Sequence, residues 1–578
     1  MQLAATNRKE RKQSPSSITR ENGVPVIDAL SYVISNAQGR RRTALVLCMV
    51  GLPARGKTSI ARKLSRYLTW RGLATRVFNI GNYRRKICGA VQPASFFDPD
   101  NEEGVTQRRL CAAACLKDMA QWLAWSKEAR VAIYDGTNST HDRRDFVRQQ
   151  LRRLEESQEG PDRVRFEIMW IESVCHDQSI IEQTIRMTKL HSPDYKGMDP
   201  AEAVADFRRR IANYEKAYQT LGPADAKDSY IKLIDVGTQI HTNRVRGWLQ
   251  LQIQTFLSSV SVTTVPIFLT RHGESLFNVE GRIGGDSSLS PRGQRYARKL
   301  GLWMSQQPEA ADPDEITVWC STLRRTLQTA TPLSRLSSRP VVRWRTLSEI
   351  DAGVCDGLTY EQVQQQMPDE WEARAENKLE YRYPSGESYT DLIDRLTPVT
   401  LELERARGPI VVVAHRAILR CLYAYFTGRD RSEVPHLPIP LHTCIKLTAR
   451  TYQTLEERFH FDVDAALDSD PQLCDSNELV KDVRRFLVNP VTPAGTPTVS
   501  DVEEDMLIWD DSDNIVSDLS QPPIMRVSSK PSGARDDLSV PVSVQRSTSD
   551  QHRRSTSTDL LPLKRAASAA GALSLQDL

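Results

Sequence analysis

Eight consecutive residues have the types and spacing of a phosphate-binding loop. They match the pattern G-x-x-x-x-G-K-[ST] and are Gly51, Leu52, Pro53, Ala54, Arg55, Gly56, Lys57 and Thr58. The glycines let backbone N–H groups approach phosphate oxygens, the lysine reaches the β- and γ-phosphates, and the hydroxyl group binds Mg²⁺. Chance alone produces the pattern in about a few per cent of chains of this length. We therefore predict that the segment binds ATP.

Asp135 is the candidate for a second contact to the metal ion. It ends the apolar segment RVAIYD, and a carboxylate at the C-terminal end of a strand beside a phosphate loop is well placed to bind Mg²⁺. The alternative is an ordinary turn aspartate before Gly136. We predict that Thr58 and Asp135 together hold the metal ion.

Three arginine pairs in loop-like segments could bind an anionic acceptor, because guanidinium groups bind phosphate with two parallel hydrogen bonds. The pairs are Arg84 and Arg85, Arg108 and Arg109, and Arg143 and Arg144. Solvated surface charge explains any one of these residues equally well. The phosphate loop thus predicts ATP, and the arginine pairs suggest a phosphorylated acceptor.

A second group of residues could transfer a phosphoryl group through nitrogen. Arg271 and His272 leave the apolar segment VPIFLT, Arg325 follows another apolar segment, and His415 follows VVVA. Side chains that follow parallel strands gather at one rim of a sheet, so we expect a cationic pocket. The tripeptide Arg-His-Gly alone occurs by chance in about one chain of this size in twenty. A structural loop histidine is the alternative for His272.

Such a pocket has the groups that phosphoryl transfer needs. Neutral imidazole is a good nucleophile near its reference pKa of about 6.5, and arginines neutralise the dense negative charge of a phosphoryl group. A leaving alkoxide also needs a proton. Glu349, in the segment LSEIDAG, is the candidate proton donor.

Two alternations of strands and helices must position these residues. Apolar segments such as TALVLCMV and RFEIMWIES alternate with amphipathic ones over residues 41–250, and a second alternation covers residues 262–465. This order indicates two α/β units with mostly parallel sheets. Residues 1–40 and the Ser/Thr-rich residues 466–578 are too polar to form a core, so we predict disordered ends. They account for a hydrophobic share of 39%, below the usual range of about 45–50%.

Charge and cysteine usage exclude several classes of protein. The 77 basic and 73 acidic residues leave a net charge of +4, which does not favour binding to nucleic acid or to a membrane. The 10 cysteines form no Cys-x-x-Cys pair and fit free thiols in a reducing compartment. The N-terminus has no apolar signal core, and the stretch from Ala44 to Val50 is too short to span a bilayer. We predict a soluble cytoplasmic protein.

Both halves also resemble one known family, the bifunctional 6-phosphofructo-2-kinase/fructose-2,6-bisphosphatases. The similar segments are GLPARGKT, NYRRK, FFDPDNEEG, YDGTN, HSPDY, RHGESLFNVEGRIGGD, SEIDAGVCDGLTYE, EYRYPSGESY and AHRAILRCLYAYF. They cover about residues 41–465 in the domain order of the family. The resemblance implies a P-loop kinase domain followed by a phosphoglycerate mutase-like histidine phosphatase domain. It also implies an enzyme that makes and hydrolyses fructose 2,6-bisphosphate, a signal for glycolytic flux.

The resemblance assigns a role to each matching residue. In the first half, Lys57, Thr58 and Asp135 serve ATP and Mg²⁺, and Lys189 lies near the transferred phosphate. The residues that match fructose 6-phosphate contacts are Arg84, Arg108, Thr137, Arg143, Lys189, Arg210 and Tyr214. In the second half, His272 matches the phosphorylated histidine and Glu349 the proton donor. The remaining matches to the bisphosphate site are Arg271, Asn278, Gly284, Arg325, Tyr360, Arg374, Lys378, Tyr389, His415 and Arg420.

Two departures from the family pattern concern the sites. Gly136 stands where the family usually has alanine, which should have a mild effect. Arg416 stands where it usually has glutamine, at a position expected to contact the bisphosphate. This extra cation could tighten binding, slow product release or turn away from the pocket.

The resemblance leaves two other functions to weigh and says little about the ends. A kinase with a phosphatase too slow to matter, or a non-enzymatic metabolite sensor or scaffold, would share most of these motifs.

The family resemblance also implies a homodimer. Ser14, Ser555 and Ser568 follow basic residues, so a basophilic protein kinase could modify them, although chance placement in a polar tail is an equal alternative.

Overall fold

The computed structural model describes residues 42–125, 130–159, 163–186, 192–261, 265–338, 340–449 and 454–464. It also describes the backbone of three short outlying strands, of which β1 (Thr19–Glu21) and β2 (Val24–Val26) pair in antiparallel fashion. Lys189, Ser14, Ser555 and Ser568 lie outside the described residues, as do nearly all positions of the predicted disordered ends.

The first half of the chain is built on a six-stranded sheet. Its strands are β3 (Arg42–Val50), β4 (Ala74–Asn79), β5 (Arg130–Asp135), β6 (Val164–Val174), β7 (Ser229–Ile234) and β8 (Gln239–Asn243). The strand order is β4-β5-β3-β6-β7-β8, and every neighbouring pair is parallel except β7 and β8. Its helices are α1 (Lys57–Trp70), α2 (Ile80–Cys88), α3 (Glu102–Trp125), α4 (His141–Glu156), α5 (Gln178–Thr184), α6 (Pro200–Glu215) and α7 (Trp248–Ser259).

Both faces of this sheet are covered, which explains why its central strands read as continuous apolar runs. Alternate residues of β3 enter different cores: Leu45, Leu47 and Met49 belong to one cluster, whereas Val46 and Cys48 belong to another. Because successive side chains in a strand point to opposite faces, this division requires a layer on each side.

The second half is built on a seven-stranded sheet. Its strands are β9 (Pro266–Arg271), β10 (Thr317–Cys320), β11 (Val342–Arg343), β12 (Ile410–Ala414), β13 (Thr443–Ala449), β14 (Thr454–Phe461) and β15 (Met525–Val527). The order is β11-β10-β12-β9-β13-β14-β15, with β13 antiparallel to both of its neighbours. Its helices are α8 (Leu276–Val279), α9 (Pro291–Ser305), α10 (Arg324–Ala330), α11 (Tyr360–Gln366), α12 (Pro368–Glu376), α13 (Tyr389–Arg395), α14 (Thr397–Arg405) and α15 (Arg416–Thr427).

The two sheets confirm the predicted fold class of two α/β units with mostly parallel strands. In both, the residues predicted to do chemistry follow the C-terminal ends of central strands. The phosphate loop follows β3 and Asp135 ends β5, while His272 follows β9 and His415 follows β12. Within the described residues, no helix is both long and apolar enough to cross a membrane.

A buried carboxylate joins the two halves. Glu404, near the end of α14, is 3% exposed and accepts hydrogen bonds from Lys63 at 2.9 Å, from Arg66 and from the Tyr425 hydroxyl group at 2.8 Å. Burial raises the pKa of this carboxyl group, but Arg66 and Lys63 outweigh it and lower the pKa to about 2. The ionised form is therefore the folded form, and its stabilisation is lost only as the pH falls from about 4.5 towards 2.

We expect Glu404→Gln to destabilise the protein, because Lys63 and Arg66 would keep their half-buried charges without a counterion. The loss should be about 3–5 kcal/mol of unfolding free energy, measured from the denaturant midpoint of the full chain. Glu402→Gln is the matched control on the same helix, since Glu402 contacts Arg405 at the surface at 3.4 Å. Its effect should stay within about 0.5 kcal/mol. Equal shifts for both variants would show that the buried pairing does not stabilise the fold.

Candidate active sites

The phosphate loop between β3 and α1 takes a shape that its glycines require. Gly51 has φ +133°, and a Cβ atom there would collide with the carbonyl oxygen of Ser173. The Gly51 amide donates to the Thr137 carbonyl at 2.9 Å, which ties the loop to the turn after β5. Gly56 is in the left-handed region at φ 76° and precedes the first turn of α1. The loop amides and the positive end of this helix therefore face the same space, as anion binding requires.

The predicted metal residues line one cleft with the loop. This cleft has a volume of about 2140 Å³ and is lined by the loop from Pro53 to Thr58 and by Asp135. Asp135 is 2% exposed, and its Oδ2 atom accepts a hydrogen bond from the Asn79 side-chain amide at 2.5 Å. A hydroxyl group and a carboxylate are oxygen donors, which Mg²⁺ prefers, and nucleotide phosphates normally supply further ligands. The donor set fits this ion.

The residues predicted to bind the acceptor line the same cleft. The structure places six of them there, Arg84, Arg108, Thr137, Arg143, Arg210 and Tyr214. Arg108 and Arg143 are linked, because the Arg143 guanidinium donates to the Arg108 carbonyl at 3.4 Å. Burial lowers the pKa of Arg108, which indicates a cation held in a poorly solvated position. Lys189 lies outside the described residues.

Asp194 organises this arginine cluster and received no role from the sequence. Its carboxylate accepts from Arg84 and from Arg85 at 2.7 Å each, and Arg210 lies at 3.6 Å. Burial raises the pKa of Asp194, but Arg85 and Arg84 hold it below its usual value. The only sequence signal was its place in the segment HSPDY.

One arginine of the three predicted pairs, Arg144, does not line the cleft. Arg144 is fully buried and bonds the Asp225 carboxylate through Nε at 3.2 Å. It also donates to the Gln219 carbonyl at 2.9 Å. For Arg144 the structure thus supports a structural role, whereas its neighbour Arg143 faces the cleft.

In the second half, the hydrogen bonds of His272 orient its ring for attack. The ring is buried, and Nδ1 lies 2.7 Å from the Gly273 carbonyl oxygen, which can only accept a hydrogen bond. Nδ1 therefore carries the proton, and Nε2 keeps its lone pair. Arg325 Nε donates to Nε2 at 3.1 Å, at the point where a phosphoryl group would arrive. Burial, then Arg325 and Arg271, hold the pKa of His272 well below its usual value, so the ring is neutral at pH 7.

His415 lies beside His272, with ring centroids 5.1 Å apart. Its Nε2 atom is 2.8 Å from the hydroxyl group of Ser321, a residue to which no sequence motif assigns a role. Burial, followed by Arg325 and His272, lowers the pKa of His415 well below 6.5. Arg271, Arg325 and both histidines thus meet at one rim of the sheet, as the strand pattern predicts.

The side chain of Glu349 contacts the first turn of α15, the helix that begins directly after His415. Its Oε1 atom accepts from the backbone amides of Ile350 at 3.0 Å and Ala417 at 3.3 Å. The carboxyl group is half-buried. Burial lowers the pKa of the Arg325 guanidinium, and the nearby charge of Glu349 partly opposes this effect. Glu349 is thus held beside the first turn of α15 and near Arg325.

Asn278 lies in the short helix α8, and Gly284 lies in the loop that follows it. The Asn278 side chain accepts from the Ser275 amide at 3.0 Å, which caps the short helix α8. Gly284 has φ 70°, and any side chain there would overlap the carboxylate of Asp356. Gly285, the next residue, accepts a hydrogen bond from Arg325 at 2.7 Å through its carbonyl.

Four cations lie close enough to influence one another's charge and are here called the cation cluster: Arg374, Lys378, Arg416 and Arg420. Arg374 donates to the Tyr383 hydroxyl group at 2.9 Å and lies over the Tyr360 ring at 5.3 Å, and Arg420 donates to Tyr389 at 3.1 Å. Burial, then Arg374, Arg420 and Arg416, lower the pKa of Lys378 to about 7. The charge of Arg416 therefore acts on Lys378.

Residues 32–264 match the family model described as 6-phosphofructo-2-kinase, and residues 267–460 match the histidine phosphatase superfamily, branch 1. A 6-phosphofructo-2-kinase/fructose-2,6-bisphosphatase of Gallus gallus is 44% identical over 421 residues, which are 73% of this chain and 85% of the relative. The chain belongs to this bifunctional family. The form-3 relative of Homo sapiens is 42% identical over 459 residues, 78% of this chain and 83% of the relative. The resemblance that the sequence motifs predicted is confirmed, together with its bifunctional assignment.

The depressed pKa of Lys378 predicts a pH-dependent phosphatase site. Below about pH 7 the ammonium group is charged and attracts phosphate, and above it the charge is lost. We expect the KM for fructose 2,6-bisphosphate to rise about tenfold between pH 7 and 9, the value of one charge-assisted hydrogen bond.

Steady-state kinetics of Lys378→Met across this range provide the check. The variant should have a raised KM with a flat pH profile. Lys299→Met is the control, because Lys299 bonds the Asp462 carbonyl at the surface at 2.6 Å. A Lys378→Met profile that still rises with pH would place the titration on another group.

Replacing Arg416 should move that transition. Arg416→Gln removes one of the charges that oppose protonation of Lys378, so the midpoint of the KM profile should shift upwards in pH. The affinity for the bisphosphate at pH 7 should also weaken severalfold, because a cation is lost from the pocket. Arg429→Gln is the control just beyond the same helix, where Arg429 contacts Glu433 at 3.6 Å. An unchanged midpoint in Arg416→Gln would separate Arg416 from Lys378.

Proposed function

We propose that this protein both forms and hydrolyses fructose 2,6-bisphosphate. The first half would transfer the γ-phosphoryl group of ATP to O2 of fructose 6-phosphate, and the second half would remove it through a phosphohistidine. The observation that carries the proposal is the joint presence, in a chain of this family, of a phosphate loop in a cleft lined by arginines and of two buried histidines beside Arg271 and Arg325. Domain limits of 41–250 and 262–465 remain part of the proposal, as do disordered ends.

In the kinase half, positioning and charge stabilisation would provide catalysis. The loop amides and Lys57 would hold the β- and γ-phosphates, and Mg²⁺ on Thr58 and Asp135 would neutralise charge on them. Arg84, held by Asp194 at 2.7 Å, is suited to bind the 6-phosphate, since its planar group is already fixed. Lys189 is proposed to lie near the transferred phosphate on family resemblance.

In the phosphatase half, two displacements at phosphorus would complete the reaction. The Nε2 lone pair of His272 attacks the 2-phosphate, the P–O2 bond breaks, and Glu349 donates its proton to the leaving alkoxide. Water then attacks the phosphohistidine and transfers a proton to the Glu349 carboxylate, which releases phosphate and free His272. Arg271, Arg325 and His415 would stabilise the charge on the phosphoryl oxygens.

The cation cluster is proposed to bind the sugar and its 6-phosphate. Tyr360 and Tyr389 each contact an arginine of the cluster, which fixes the cations before the substrate arrives. Arg416 favours a second candidate, a kinase-dominant enzyme, because a cation where the family resemblance implies glutamine could slow release of product. A non-enzymatic sensor is the third candidate and would need neither His272 nor Lys57.

Several properties follow from the family or from the sequence pattern and stand as proposals. They are a cytoplasmic location, a homodimeric state, and modification of Ser14, Ser555 or Ser568 by a basophilic protein kinase. Comparing the ratio of the two rates before and after treatment with such a kinase would test the last of these.

Single substitutions should separate the two activities. Lys57→Ala should reduce formation of the labelled bisphosphate from γ-labelled ATP by about 10³-fold or more, since a cation on the migrating phosphoryl group is lost, and should leave hydrolysis intact. His272→Ala should abolish hydrolysis and labelled phosphohistidine while the kinase rate stays within about twofold.

The pair of variants also distinguishes the alternatives. Loss of both activities in either variant would indicate one shared site and contradict the two-site proposal. A wild-type chain that forms bisphosphate but no labelled histidine would favour the kinase-dominant enzyme. Neither product in the wild-type chain would favour the sensor.

A further inference from the structure

Two cysteine thiols meet beside the kinase cleft. Cys88 is the last residue of α2, and Cys111 lies within α3, with 3.6 Å between their sulfur atoms. Cys111 is buried and also lines the cleft. Among the nine cysteines within the described ranges, only Cys88 is partly exposed to solvent. The Cys88 thiol is thus accessible to a small oxidant in solution, and the Cys111 thiol is close enough to form a disulfide with it.

We propose that Cys88 and Cys111 form a reversible disulfide when a hydroperoxide oxidises the protein, and that this bond weakens binding of the acceptor sugar phosphate in the kinase cleft. The effect on the kinase rests on the proposed function. The bond itself rests only on the geometry of the two thiols.

Bond formation needs a small movement that the backbone permits. A disulfide has its sulfur atoms about 2.05 Å apart, so the two atoms must approach by about 1.5 Å. Cys88 is followed by Gly89, which has φ +89°, and a Cβ atom there would contact only the Gln92 amide at 3.8 Å. The end of α2 therefore has open space and a glycine about which to turn, whereas Cys111 is fixed within a 24-residue helix.

The chemistry balances with the peroxide as the two-electron oxidant. The Cys88 thiolate attacks one peroxide oxygen, the O–O bond breaks, and the other oxygen leaves as water or an alcohol. The Cys111 sulfur then attacks the resulting sulfenic acid, the S–S bond forms, and the hydroxyl group leaves as water with the Cys111 proton. Burial, together with the contact to Cys88, raises the pKa of Cys111 to about 11, so the exposed Cys88 is the thiol that reacts first.

The Cys88–Cys111 disulfide would move the backbone groups that hold Arg84 in place. Arg84, one turn before Cys88, donates to the carbonyl groups of Gly89 at 3.4 Å and Ala90 at 2.9 Å, the two residues that follow the thiol. Arg108 lies three residues before Cys111 on α3. Drawing Cys88 towards α3 moves the carbonyl groups that hold Arg84 and displaces its guanidinium from the cleft. ATP binding and the phosphatase site, which use other elements, should keep their properties.

Peptide mapping and kinetics on the full chain test the proposal. The reduced protein is treated with hydrogen peroxide, its free thiols are alkylated, and the digest is analysed without reduction. We expect a linked Cys88–Cys111 peptide pair. The KM for fructose 6-phosphate should rise about tenfold, as for loss of one charge-assisted hydrogen bond, and dithiothreitol should restore it.

Three variants provide the controls. The KM of Cys88→Ser for fructose 6-phosphate should be the same before and after addition of peroxide. The same should hold for Cys111→Ala, in which alanine replaces the buried cysteine because a serine would place a hydroxyl group in the core. Cys115→Ala changes a buried thiol one turn further along α3 and should still form the Cys88–Cys111 bond and respond to peroxide.

Absence of the linked pair, or Cys88 linked to Cys474 instead, would overturn the proposal. A linked pair with unchanged KM would overturn its effect on the kinase. A reduced protein without kinase activity would overturn the proposed function, while the peptide map would still decide the disulfide.

Discussion

The buried carboxylate of Glu404 is the contact on which the arrangement of the two sites depends. Its partners Lys63 and Arg66 lie on α1, the helix that begins in the phosphate loop, and Tyr425 lies on α15, which begins directly after His415. One ionised group therefore connects the helix behind the nucleotide loop with the helix behind the phosphatase histidines. Apolar packing continues across the same contact, with the Trp70 and Tyr425 rings 5.7 Å apart.

The two sites solve the problem of gathering cations in different ways. In the kinase cleft, Arg84, Arg85 and Arg210 share the carboxylate of Asp194, so part of their charge is compensated before any substrate binds. The cation cluster of the phosphatase uses neutral partners instead, such as the hydroxyl groups of Tyr383 and Tyr389. Its repulsion is relieved at Lys378, the cation of the cluster that releases its proton most readily. We therefore expect the bisphosphate site to respond to pH through Lys378.

The histidine site shows why burial and charge must be considered together. Both histidines are enclosed and face Arg271 and Arg325, so each is held neutral at physiological pH. Neutral imidazole is the nucleophilic form, and the arginines that suppress its protonation are the same groups that attract the phosphoryl oxygens. Substrate attraction and nucleophile activation thus come from one arrangement of charges.

The sequence by itself determined the two α/β units, the phosphate loop and the histidines at strand ends, because glycine spacing and apolar runs are local properties of the chain. It could not find Asp194, Ser321 or Glu404, whose contacts with Arg84, His415 and Arg66 join residues between 94 and 338 positions apart. Nor could it decide whether the charge of Arg416 acts on Lys378, since that depends on how α15 packs. The pairing of Cys88 with Cys111 likewise arises only where α2 meets α3, because side-chain distance between elements is set by packing and not by local pattern.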